Sequence, residues 1–164
     1  LLALVNHSLR SDREVRQNVW RREANRGWEL MGRTIGIIGC GHTGGQFARK
    51  LAGMEMEVLA FDKYKPAGYA AEMPWVQESN LEEIQRRADI ISLHLPLTPE
   101  TKHLLDADFI KKCKPGSVVL LHDTMANTPE VLRKFLLFLS EHQYKVVLPN
   151  AMFNINWYRE DENH

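Results

Sequence analysis

Cysteine is scarce in this chain of 164 residues: Cys40 and Cys113 are its two thiols. Two cannot make the disulfide framework of a small secreted domain, so a reducing compartment, the cytoplasm, is expected. Net charge is missing as well. Lys and Arg number 21, Asp and Glu number 21, and they cancel. Without a positive excess there is no electrostatic footprint for nucleic acid or an anionic membrane, and neither partner is expected. No apolar run approaches the ~20 residues of a membrane span. Leu1 to Val5 is too short for a signal h-region and has no basic stretch before it. The seven histidines form no His-x-x-x-His pair, so no metal site is expected. The chain opens on Leu1 rather than Met, which points to an excised or engineered piece.

What is present fits one globular domain. Apolar residues make up 44% of the chain, and a domain this long buries ~70% of its unfolded surface. Leu1, Leu2, Leu4, Val5 and Leu9 share a helical face. Ser11 and Glu14 read as a capping box restarting a helix through Trp20. The Arg-rich stretch from Arg10 to Arg26 also carries acids and reads as a solvated face. Thr34 to Ile38 is a short β-branched run, as in a buried strand. A Gly-rich turn follows, then a helix burying Phe47, Ala48, Leu51 and Ala52. Further strands are expected at Glu57 to Phe61, Ile90 to Leu95, Ser117 to Leu121 and Lys145 to Leu148. Lys63 to Ser79 reads as loop. Asn80 with Glu83 caps a short helix to Ala88. Leu104 to Cys113 has helical spacing, and Thr128 with Pro129 starts a helix to about His142. The domain is expected over 1–150, with 151–164 as a tail.

Strands alternating with helices imply an α/β domain with a parallel sheet covered on both faces. Right-handed crossovers make it doubly wound and three-layered, with about five mostly parallel strands in the order 3-2-1-4-5.

Gly39-Cys40-Gly41-His42-Thr43-Gly44 matches G-x-G-x-x-G. It has the confirming context of a strand before, a helix after, and Asp62 ending the next strand about 20 residues on. Gly39 permits the tight turn, Gly41 lets backbone approach a pyrophosphate, and Gly44 lets helix and strand pack. The helix N-terminus offers N–H groups and partial positive charge to phosphates. Asp62 accepts hydrogen bonds from a ribose hydroxyl and repels a 2′-phosphate, favouring NAD over NADP. Lys63 and Lys65 oppose that preference in part. The structural alternative is a tight βα turn without a ligand. Cys40 at a helix N-terminus is read as a small filler rather than a redox thiol.

Residues 1 to about 116 resemble the nucleotide-binding domain of the D-isomer-specific 2-hydroxyacid dehydrogenases. The fingerprint carries this, together with Gly32-Arg33-Thr34-Ile35-Gly36-Ile37-Ile38-Gly39, Phe61-Asp62, Ala88-Asp89 and His94-Leu95-Pro96-Leu97-Thr98-Pro99-Glu100-Thr101. The resemblance implies that His42 and Thr43 offer backbone groups to the pyrophosphate and that Asp62 holds the adenosine ribose. It also implies that Leu95, Pro96 and Thr101 lie along the cofactor. For His94 and Pro96 a buried strand end and a helix breaker are the alternatives. The family's N-terminal helix helps form a dimer, which implies a homodimer through Leu1 to Leu9.

The family pattern breaks after the fourth strand. Its substrate-carboxylate Arg falls at about Thr124, its Glu and His have no counterpart, and its substrate domain is absent. No catalytic residue is therefore assigned, and no activity is expected of this chain alone. Pro115 to Thr124, followed by Tyr144-Lys145-Val146-Val147, resembles the last βαβ piece of NodB-type polysaccharide deacetylases, whose catalytic acid would be His122. Those enzymes need a metal that this sequence cannot hold, so His122 is read as a strand-end polar residue. The two resemblances suggest a chimera joined near 116–119. Three readings stand: an NAD-binding Rossmann domain without catalytic machinery, an engineered scaffold with weak or no cofactor binding, and a 2-hydroxyacid oxidoreductase with unrecognised catalytic groups.

Overall fold

The β-branched run Thr34–Ile38 forms the central strand, β1, in a computed structural model that describes residues 1–96, 98–101, 104–120 and the single helical positions Arg133, Leu137 and Glu141. β1 pairs on one side with β2 (Glu57–Phe61) and on the other with β4 (Ile90–Leu93). β3 (Gln77–Glu78) lies outside β2, and β5 (Val118–Leu120) outside β4. All four pairings are parallel, and the order is β3-β2-β1-β4-β5. The expected α/β sheet and its order are present.

The strands filling that order differ in part from the expected ones. The outer strand comes from Gln77–Glu78, within a segment read as loop. The strand begun by Ile90 therefore stands fourth and pairs with β1 rather than lying beyond β2. Two exposed polar residues carry no alternation from which to read a strand. The strand expected at Lys145 to Leu148 lies outside the described residues, as do most of the helix from Thr128 and the tail at 151–164.

Period-two alternation sends Gly36 and Ile38 to one face of the sheet and Ile35 and Ile37 to the other. Ile35 and Ile37 are fully buried. On the Gly36 face, α4 (Leu81–Arg87) lays Ile84 directly against Gly36. Ile38, Leu59, Ile84, Ala88, Ile91 and Phe109 form the core there. Asn80 caps α4 as expected, its Oδ1 accepting from the Glu83 N–H at 2.9 Å. α5 (Ala107–Lys112) is shorter than its apolar spacing suggests, because Asp106 takes the cap position and accepts from the Phe109 N–H at 2.8 Å. α3 (His42–Leu51) buries Gly44, Ala48 and Leu51. Ala52, expected on that face, begins a 3₁₀ turn and is exposed.

At the amino ends of the strands, Asp89 ties three segments together. Its Oδ2 accepts from the Thr34 N–H at 3.0 Å, and Lys114 donates to its Oδ1 at 2.5 Å. Burial pushes the Asp89 carboxyl up, but Lys114, the Thr34 N–H and Arg33 outweigh it and hold it below its ordinary value. A depressed carboxylate stabilises the fold above its unfolded pKa, and that contribution is lost as pH falls through the folded one. Urea unfolding is expected to show a stability loss below about pH 4 that Asp89→Asn reduces. At neutral pH the same change should cost about 1–3 kcal/mol. An Asp89→Asn chain with the wild-type pH profile would count against this role.

The chain forms two compact units, and Leu30–Phe138, which holds the sheet, is one of them. In the other, Leu1–Glu29 carries α1 (Leu2–Val5) and α2 (Ser8–Arg16). The expected start at Ser11 is replaced by one at Ser8, after His7 adopts a left-handed conformation with φ 50°. That break interrupts the anticipated apolar face: Val5 is buried, while Leu2 and Leu9 are exposed. The solvated-face reading fails at Arg10, which is buried and donates to Glu14 at 3.0 Å and to the Ala24 carbonyl at 3.3 Å. Asn25 donates to the second Glu14 oxygen at 2.6 Å. Hydrogen bonds from Asn25 and Arg10 hold the Glu14 carboxyl below its usual range.

Candidate dinucleotide site

Strand register builds the site. Ile38 pairs with Phe61 on β2 and with Leu93 on β4. The next residue of each strand, Gly39, Asp62 and His94, therefore emerges at one edge of the sheet. The Gly39 N–H donates to the Phe61 carbonyl and the His94 N–H to the Ile38 carbonyl, both at 2.8 Å. Carboxyl ends of neighbouring parallel strands are where doubly wound sheets hold ligands.

The three fingerprint glycines have distinct surroundings. Gly39 has φ 93°, and a Cβ there would lie 2.5 Å from the His94 carbonyl oxygen and 2.9 Å from Leu95 Cδ2. A Cβ on Gly44 would collide with the Gly39 carbonyl. A Cβ on Gly41 would meet nothing within 4 Å. The turn is closed against protein at Gly39 and Gly44 and open at Gly41. Gly41 caps α3 without a side-chain hydrogen bond, and His42 and Thr43 are exposed at its first turn. Their N–H groups lie at the positive end of the helix dipole, which attracts anions. These features fit a pyrophosphate.

Asp62 follows β2 and anchors the turn from the side. Its Oδ2 accepts from the Cys40 N–H at 2.9 Å, and its Oδ1 from the Tyr64 N–H at 3.0 Å. The carboxylate is thereby held beside the fingerprint, with lone pairs left for a ribose hydroxyl. Leu95 and Pro96 follow β4, and Leu95 packs beside Gly39. The Thr101 hydroxyl turns into its own loop, donating to the Pro96 carbonyl at 2.6 Å and accepting from the Thr98 N–H at 2.8 Å. His94 packs against Phe47 of α3 with ring centroids 5.4 Å apart and planes tilted by 47°, and its Nε2 lies 3.0 Å from Ser92 Oγ. Cys40 is buried, and burial pushes its thiol up. A filler role suits it.

Glu100, unassigned from sequence, reaches across this edge. Its Oε2 accepts from Lys63 Nζ at 2.7 Å and from the Tyr64 hydroxyl at 2.9 Å. Nothing in the spacing signals the pair, because it exists only through strand order. His122 and Thr124 lie outside the described residues.

A parallel doubly wound sheet with a G-x-G-x-x-G turn at the carboxyl end of its central strand defines the Rossmann class. Residues 1–121 match the family of the D-isomer specific 2-hydroxyacid dehydrogenase, NAD binding domain, and the chain belongs to it. D-3-phosphoglycerate dehydrogenase of Mycobacterium tuberculosis is 35% identical over 120 residues, 73% of this chain and 22% of that protein. Among solved structures, apo D-lactate dehydrogenase from Escherichia coli aligns with a TM-score of 0.66 at 35% identity, covering 72% of this chain and 37% of that one. NAD-dependent formate dehydrogenase from Staphylococcus aureus, in complex with NAD, aligns with a TM-score of 0.62 at 28% identity, covering 72% and 35%. The chain thus spans well under half the length of these relatives. No helix among the described residues is long and apolar enough to cross a membrane.

Proposed function

We propose that this chain binds a dinucleotide, NAD in preference to NADP, through Gly39, Gly41, His42, Thr43, Gly44, Asp62, Leu95, Pro96 and Thr101. The observation that carries the reading is the register that brings Gly39, Asp62 and His94 to one edge, with open space over Gly41. In this reading the backbone of His42 and Thr43 receives the pyrophosphate, Asp62 receives the adenosine ribose, and the Leu95–Pro96 segment flanks the cofactor. Thr101 acts by shaping the Pro96 loop. The relatives' names support a hydride transfer between a nicotinamide and a small 2-hydroxy acid for a whole protein of this kind. This chain contributes the cofactor half, and no residue in it is assigned to proton transfer. Titration of NADH, followed by its fluorescence, tests the reading: saturable binding supports it, and none at millimolar cofactor overturns it.

Two finer readings accompany it. The exposed Leu2 and Leu9 suit a second copy of the chain, and sedimentation as a clean monomer at high concentration would exclude that. The loss of family pattern at His122-Asp123-Thr124 supports a join to a NodB-like segment. Residues 117–148 matching dehydrogenases alone would overturn it.

A further inference from the structure

β2 and β4 flank β1, so a side chain reaching from the loop after β2 to the loop after β4 passes over the end of β1, where the fingerprint turn begins. Lys63 and Tyr64 do this, and both donate to the same Glu100 oxygen. Lys63 follows Asp62 directly, so its ammonium is well placed to meet a phosphate on the adenosine ribose. Glu100 engages that ammonium instead and adds a second carboxylate to the one on Asp62. Lys65, a further cation among the described residues after β2, lies 5.4 Å over the Tyr69 ring.

Resting on the dinucleotide reading above, we infer that Glu100 is a specificity-determining residue: by pairing with Lys63 and Tyr64 across the crevice, it withholds Lys63 from a ribose 2′-phosphate and so disfavours NADP. Asp62 repels the 2′-phosphate directly, while Glu100 removes the cation that would offset the repulsion. The pair is solvent-exposed, with Lys63 and Glu100 side chains 64% and 58% accessible. Its effect is therefore moderate and screened by salt.

The test is fluorescence titration of NADH and NADPH on the wild-type chain, Glu100→Gln and Glu100→Gln/Lys63→Ala, at low and high salt. Both substituted positions are on the surface, and circular dichroism checks that each chain is folded. In Glu100→Gln, the ratio of the NADPH to the NADH dissociation constant should fall about five- to tenfold at low salt, and less at high salt. Adding Lys63→Ala should return the ratio to near the wild-type value. NADH binding with an unchanged ratio in Glu100→Gln overturns this inference alone, as does a gain that survives loss of Lys63. Absence of saturable NADH binding in all three chains overturns the dinucleotide reading and this inference with it.

Discussion

In a Gly41→Val chain, NADH affinity is expected to fall by about a hundredfold or more, while the melting temperature moves by no more than a few degrees. The two effects separate because of where Gly41 sits. Its φ of −74° and extended ψ suit an L-residue, and an added Cβ meets no protein atom within 4 Å. Folding therefore loses at most the helix-cap preference for Gly over Val, about 1 kcal/mol. A ligand's phosphate must approach the backbone through the space that the Val methyl groups would fill. Gly44→Ala provides the contrast. Its Cβ would press on the Gly39 carbonyl, and such overpacking typically costs about 1–3 kcal/mol. A Gly41→Val chain that binds NADH as the wild type does would remove the pyrophosphate from this turn.

Ile84→Ala is expected to be the most damaging single change in the described core, lowering stability by about 3–5 kcal/mol in urea unfolding. Ile84 is fully buried and lies on Gly36 of the central strand. It joins β1, β2 and β4 to α5 through Ile38, Leu59, Ile91 and Phe109. Glycine beneath it has no side chain to move into the vacated volume, so the cavity persists, and persistent cavities give the upper end of the range. A loss below about 1 kcal/mol would show that α4 settles onto the sheet without Ile84.

Much of the sheet is legible in sequence because its central strands are buried on both faces. Thr34–Ile38, Glu57–Phe61 and the run from Ile90 to Leu95 read as apolar or β-branched runs between turn residues, and the last of these leaves the sheet two residues earlier, at Leu93. β3 is too short and polar to leave such a mark, yet it takes an edge of the sheet through backbone pairing alone. The α4 cap at Asn80 was legible because its two partners lie three residues apart. The first unit was less so. Arg10 looks like any surface arginine until Glu14, Ala24 and Asn25 gather around it.

The fingerprint shows the same division. By itself, the sequence determined that Gly39, Gly41 and Gly44 stand between a strand and a helix, with an acid at the end of the next strand. Those are local facts, set by which residues lack a Cβ and by the apolar period on either side. Only the tertiary structure decided that Asp62 holds the Cys40 N–H, that Leu95 closes on Gly39, and that Glu100 crosses to Lys63 and Tyr64. These contacts join segments 22 to 56 residues apart. No local pattern encodes them, because they follow from the parallel register that aligns the ends of β2, β1 and β4.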